Sequence, residues 1–189
     1  PRVTPIAEKL GWMNGLALDL TQNDDDGEPW DFNKESKRKR AKEMIERKEA
    51  LLLIGSPMCS AFSQLQHINF ARMSPGEVEE VKAYGRKHLE FCMELYQRQI
   101  ENGLYVLHEH PSSATSWRER KVQEIASNEN VHIVESNMCA FGMMQEEGGE
   151  EKLVKKPTKF MTNSPRIAKR LGKKCSGDHS HVVLVGGRA

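Results

Sequence analysis

The sequence predicts an α/β fold, a three-layer sandwich around a mostly parallel sheet, and two observations carry that expectation. Apolar, uncharged runs at 50–55, 104–108 and 131–134 alternate with helical patterns, as a sheet covered on both faces requires. The most unusual polar clusters, namely Asp19, the segment 56–63 and Glu109-His110-Pro111, fall where strands should end. In open α/β sheets ligands bind beyond the carboxyl ends of the strands, so these clusters mark a candidate site.

The elements follow in order. Thr4 before Pro5, then Ile6, Ala7 and Leu10 and a stop at Gly11, predict a short capped helix. Residues 15–20 read as a short buried strand, and 22–29, with three successive Asp, as a solvated loop. The segment 34–48 is highly charged with few apolar positions, a one-sided surface helix. The continuous apolar run 50–55 ends in Gly-Ser-Pro and predicts a central strand. Ser74-Pro75-Gly76-Glu77 is a capping box with proline at the first helical position. Val78, Val81, Gly85, Leu89, Cys92, Tyr96 and Ile100 then recur every three or four residues, which predicts a long amphipathic helix stopped by Gly103. Strands are expected at 104–108, 131–134, 153–162 and 181–185, and helices at 115–127 and from Ser164-Pro165 to Leu171.

With 189 residues, one domain is expected. The chain opens without Met and closes just after an apolar run, so the expectation is a domain excised from a longer chain. Hydrophobic residues at 38% and charged residues at 29% exclude both a membrane bundle and a disordered chain. No apolar run approaches the roughly 20 residues of a bilayer span. A formal net charge of +1 means that contact with a polyanion must rest on local patches. Four dispersed Cys do not make a disulfide scaffold and point to a reducing, intracellular setting, nuclear or cytoplasmic.

Cys59 follows a predicted buried strand by a few residues, in a loop tightened by Gly and Pro. Unpaired backbone N–H groups there would favour thiolate and hence nucleophilicity. The alternative is a buried Cys that fills space, which is the reading for Cys92 on the apolar helix face and for Cys139.

The run Ile54-Gly-Ser-Pro-Met-Cys-Ser-Ala-Phe-Ser63 resembles the nucleophile motif of the cytosine carbon-5 methyltransferases, G-S-P-P-C-x-x-F-S. The run 104–111 is similar to that family's strand ending in Glu-Asn-Val, with Glu109 in the glutamate's place, and Phe141-Gly142 resembles the turn after the next strand. The resemblance implies a Rossmann-like methyltransferase fold, with S-adenosylmethionine as cofactor and nucleic acid as partner, DNA ahead of RNA. It implies Cys59 as the nucleophile on carbon 6 of cytosine and Glu109 at ring nitrogen 3. It further implies that Asp19, Asp31 and Pro57 contact the cofactor, and that Ser63, Lys156 and Lys159 contact substrate, the lysines standing where the family places a Gln-x-Arg-x-Arg strand. Met58 replaces the family's second proline, His-Pro follows Glu109 instead of Asn-Val, and no glycine-rich cofactor loop is found. A divergent branch borne by a mobile-element polyprotein is the expectation.

Three other readings stay open. Cys175, His179 and His181, with Cys139 available in space, offer zinc-ligand types, against plain polar loop residues. A catalytically idle module could hold nucleic acid through the basic runs 34–48, 155–170 and 173–174, with Trp12, Trp30 and Trp117 as stacking platforms. A Cys-dependent hydrolase would pair Cys59 with His67 or His108, while His110 reads as a solvated loop residue.

Overall fold

The structure, a computed structural model, describes residues 3–11, 15–182 and 184, the side chain of His67 excepted. Trp12, Val183 and Val185 lie outside the described residues. The chain divides into two compact units, Pro1–Leu51 and Leu52–Ala189.

The first unit holds two helices, α1 (Val3–Lys9) and α2 (Glu35–Glu46). The strand expected over 15–20 is not formed. Leu16 and Leu20 are 73% and 64% exposed, because an apolar run with no partner strand cannot bury its side chains or satisfy its backbone as a sheet. The three-Asp loop is not simply solvated either. Asp24 pairs with Lys37 and, at 3.0 Å, with Arg40, which also reaches Asp26 at 3.0 Å. The charges of loop and helix therefore neutralise each other. Both cations also lie over the buried ring of Trp30, at 5.9 Å and 5.6 Å from its centroid, beside the buried Ala41 and Ile45.

The second unit is built on a four-stranded sheet of β1 (Leu52–Gly55), β2 (Tyr105–Pro111), β3 (His132–Asn137) and β6 (Pro157–Thr162), in the order β1-β2-β6-β3. The mostly parallel, Rossmann-like sandwich expected from the sequence is corrected here. Within this sheet of the described residues, β1 and β2 are the one parallel pair; β6 runs antiparallel to both β2 and β3. The cause is the connection. From β3 the chain passes through a 3-10 turn (Met138–Phe141) and a hairpin of β4 (Met144–Glu147) and β5 (Glu150–Leu153), with no helix to carry it back across the sheet, so β6 returns in the opposite direction. The hairpin turns at Gly148 and Gly149, both at positive φ, and it splits the single strand expected over 153–162. Of the last strand expected at 181–185, the described residues show one bridge, Val182 against Val154.

Between β1 and β2 come α3 (Gln66–Phe70) and α4 (Pro75–Glu101). Helix α4 begins as the sequence predicts. Ser74 Oγ accepts from the Glu77 N–H and Glu77 Oε2 accepts from the Ser74 N–H at 2.7 Å. Its apolar stripe buries Leu89, Met93 and Tyr96 against Val106 of β2 and Met161 of β6. A 3-10 turn (Thr115–Arg118) and α5 (Arg120–Ala126) add Trp117, Val122 and Ile125 to the same cluster. Helix α6 (Pro165–Leu171) packs on β3 and β6 across the sheet, where Ser136 Oγ donates to the Leu171 carbonyl. Desolvation pushes the Cys92 thiol up to about 12, in keeping with a packing role.

Two glycines set the approach of chain segments. A Cβ on Gly55 would lie 2.0 Å from the Tyr96 hydroxyl, and one on Gly85 would lie 2.5 Å from the Ala61 Cβ. Gly85 thereby lets the 3-10 turn Ser60–Phe62 sit directly on α4. Gly85→Ala is expected to cost about 1–3 kcal/mol in urea unfolding despite its better helix propensity, whereas Gly76→Ala, with open space around it, should be neutral or slightly stabilising.

His108 is fully buried on β2, with Nδ1 3.2 Å from the Tyr96 hydroxyl and its ring edge-on to Trp117. Burial first, and then neighbouring His110, push it down to about 3. The unfolded chain therefore binds the extra proton between about pH 6.5 and pH 3, and stability falls as pH falls through that window. The contribution is up to about 1.4 kcal/mol per pH unit for one proton. His108→Gln should flatten the pH dependence of the urea midpoint below pH 6.5 relative to the parent chain.

Candidate functional site

Parallel pairing sets Gly55 opposite His108, so the loop 56–59 leaves β1 beside the point where β2 continues to Glu109 and His110. The loop is tied down there. His110 is buried, 1% exposed, and its Nε2 lies 2.8 Å from the Pro57 carbonyl. A carbonyl only accepts, so Nε2 carries the proton, and Nδ1 accepts from the Ser116 hydroxyl at 2.6 Å. Burial lowers the His110 pKa, which keeps the ring in this neutral tautomer. The solvated loop histidine expected at 110 is thus corrected: the residue is a buried brace between β1's loop and the Thr115–Arg118 turn. A second tie runs from Thr115 Oγ1 to the Phe62 carbonyl at 3.3 Å.

Cys59 is half-buried, with a free thiol, at the start of the Ser60–Phe62 turn, and its carbonyl accepts from the Phe62 N–H at 3.0 Å. Met58 beside it is exposed. Glu109 is half-buried too, but strand alternation aims it off the face opposite His108 and His110, where it stands across from Phe160. Its Oε1 is 3.7 Å from Lys156 Nζ. Lys159 stands across from His110 on the other face, 5.9 Å from the Trp117 ring centroid, at a cavity of about 440 Å³ walled also by Gln64, Ser112, Thr115 and Arg118. The two lysines expected to share one task are therefore on opposite sides of the sheet. Ser63 caps its own turn, its Oγ accepting from the Leu65 N–H at 3.3 Å.

The acids expected to hold a cofactor are occupied locally in the first unit. Asp19 Oδ1 accepts from the N–H and hydroxyl of Thr21 at 2.9 Å and 2.7 Å, and the hydroxyl bond lowers its pKa. Asp31 Oδ1 accepts from the N–H and side-chain amide of Asn33 at 2.9 Å and 3.0 Å. The Pro57 carbonyl is used by His110.

Of the two histidines the hydrolase reading offers to Cys59, His108 is sealed beneath Tyr96, and the side chain of His67 lies outside the described residues. The stacking role expected of Trp30 and Trp117 is likewise corrected, both rings being buried and the Trp117 Nε1 donating to the Pro111 carbonyl at 2.9 Å. The four residues weighed as metal ligands do come together: ligand atoms of Cys139, Cys175, His179 and His181 all lie within 4.8 Å of one another. No helix among the described residues is long and apolar enough to cross a membrane. No family model, curated protein or solved structure matches the chain.

His110 and Ser116 are the site residues that sequence reasoning missed, although a histidine alternating with His108 along a strand shares its face. His110→Phe leaves the Pro57 carbonyl and the Ser116 hydroxyl without this partner. The expected loss is about 2–4 kcal/mol in urea unfolding, against less than about 0.5 kcal/mol for Lys159→Ala at the cavity rim.

Proposed function

We propose that the chain adds Cys59 covalently to carbon 6 of a cytosine in nucleic acid, DNA ahead of RNA, which is the base-activating half of carbon-5 methyl transfer. The observation that supports it most is the half-exposed Cys59 thiol on a loop braced by His110 against the end of the strand that carries Glu109. A nucleophile needs a fixed approach, and a brace of two hydrogen bonds on a neutral buried ring supplies it without lending a competing charge.

In this reading the Cys59 thiolate forms the bond to carbon 6 and the ring's electron pair moves to carbon 5, which then takes an electrophile. Loss of the carbon-5 proton and departure of the thiolate restore the ring. Glu109 leaves β2 on the face opposite the His110 brace, so in this reading the base lies across the end of β2 for ring nitrogen 3 and the exocyclic amine to reach it, and Lys156, its ion-pair partner, offers a cation for the substrate's phosphates. A base inside a duplex must first be flipped out of its stack to reach such a thiol.

S-adenosylmethionine, as the resemblance implies, would supply the methyl group as a sulfonium. The residues expected to hold it do not fit that task here, since Asp19 and Asp31 cap their own turns and the expected strand before Asp19 is absent. The chemistry derived from this chain's residues is accordingly the addition of the thiol to the base.

An oligonucleotide carrying 5-azacytosine traps that adduct without a methyl donor. Incubation should give a product stable on a denaturing gel, absent with Cys59→Ala, retained with Cys92→Ala and slowed at least about 100-fold by Glu109→Gln. An adduct that persists in Cys59→Ala refutes the assignment. Salt-sensitive binding with no adduct in any DNA or RNA form points instead to the idle nucleic-acid-binding module.

A further inference from the structure

We propose that Cys139, Cys175, His179 and His181 form a closed tetrahedral zinc centre that staples the segment after α6 to the turn after β3. This rests on no part of the Cys59 reading. Cys175 Sγ lies 3.5 Å from His179 Nε2 and 3.4 Å from His181 Nε2, and all four ligand atoms fall within 4.8 Å of one another. With Zn–S near 2.3 Å and Zn–N near 2.0–2.1 Å, a tetrahedral S···N edge is about 3.5 Å. Cys175 and the two imidazoles already stand at the separation that one zinc ion demands.

Local structure presents three of the four ligands. Cys139 sits in the 3-10 turn Met138–Phe141, closed by Gly142 at φ +73°, whose N–H donates to the Cys139 carbonyl at 2.9 Å. The Gly177 N–H, at φ +82°, donates to Cys175 Sγ at 3.3 Å, a bond that suits a thiolate. The Cys175 N–H is itself held by Asn137 Oδ1 at 2.9 Å, and the Asn137 N–H by the Lys173 carbonyl at 3.0 Å. Asp178 Oδ1 lies 2.7 Å from His179 Nδ1, which fixes the tautomer with Nε2 as the lone-pair donor, the carboxylate–histidine arrangement that orients metal-bound imidazoles.

The ligand chemistry selects the ion. Two thiolates and two imidazoles suit zinc, whereas magnesium and calcium want oxygen ligands. Four protein ligands leave no open position, so the centre is structural and not catalytic. A simple disulfide between Cys139 and Cys175 would account for neither imidazole, nor for the carboxylate behind His179. Residues 172–181 have no regular secondary structure, and the ion supplies the cross-link that a short irregular segment lacks.

Elemental analysis of the full chain, purified without chelator, is expected to give one zinc per chain. After stripping, cobalt(II) should produce the visible bands of tetrahedral coordination and ultraviolet thiolate-to-cobalt charge transfer, lost in Cys139→Ser and Cys175→Ser and kept in Cys92→Ser. Asp178→Asn, which removes no ligand, should keep the cobalt spectrum yet weaken zinc about 10–100-fold in competition with a chromophoric chelator. A reduced full-length chain that holds no zinc and gives no tetrahedral cobalt spectrum overturns the proposal. So does a charge-transfer band unchanged in both Cys variants. Where a Cys variant fails to fold, the stripped and cobalt-loaded parent chain and Asp178→Asn decide the matter.

Discussion

The position of the Cys59 loop depends on the bond from His110 Nε2 to the Pro57 carbonyl. Loop 56–59 leaves an edge strand of the described sheet, and in the second unit the backbone bonds of β1 go to β2 alone. A loop at such an edge is ordinarily free to move. Here the Pro57 carbonyl is satisfied from within the protein, by the Nε2–H of His110. Burial favours the neutral ring and the Pro57 carbonyl fixes its tautomer, leaving Nδ1 to accept from Ser116. His108, next but one along β2, has the same neutrality for the same reason, and the paired imidazoles form a dry polar layer between α4 and the sheet.

The reversed strand β6 is the second organising fact. Inserted between β2 and β3, it lends both neighbours its hydrogen bonds and gives the sheet's centre a strand whose side chains serve both faces. Met161 joins the core under α4, Phe160 lies with Val134 on the α6 side, and Lys159 reaches the cavity by Trp117. Asn163 just beyond it closes the strand pair at its other end, its side chain donating to the Leu104 carbonyl at 2.8 Å and accepting from the Val106 N–H at 2.9 Å. A parallel β6 would have needed a crossover helix that the chain between β3 and β6 does not contain.

Much of this was legible in the sequence where one signal decided the outcome. The capping box at Ser74 and the three-to-four-residue apolar spacing located α4, and the uncharged runs located β1, β2 and β3. Strand direction was not legible from apolarity, because a run buried on both faces looks alike in either direction; the missing crossover helix was the available clue. The hairpin β4–β5 was announced by Gly148-Gly149 but hidden by its acidic strands, Glu146, Glu147, Glu150 and Glu151, which lack the apolar alternation that marks a strand. The run 15–20 failed for the opposite reason, being apolar enough for a strand but having no partner among the described residues. At the candidate sites the thiol and the four clustered Cys and His residues could be named from residue type, whereas the His110 brace depends on contacts 53 residues apart that no local pattern encodes.

The cluster of Cys139, Cys175, His179 and His181 and the Glu109 ion pair meet in one stretch of backbone. The Met138 N–H, next to the ligand Cys139, donates to the Lys155 carbonyl at 2.8 Å and lies 3.3 Å from that of Lys156. Lys156 takes φ +21°, a conformation that costs a β-substituted residue energy and persists only where neighbouring bonds impose it. That conformation directs its ammonium to within 3.7 Å of Glu109. The turn that carries Cys139 is thus hydrogen-bonded to the residues that place Lys156 beside Glu109. The brace at His110 and the Cys139 turn both lie within the second unit.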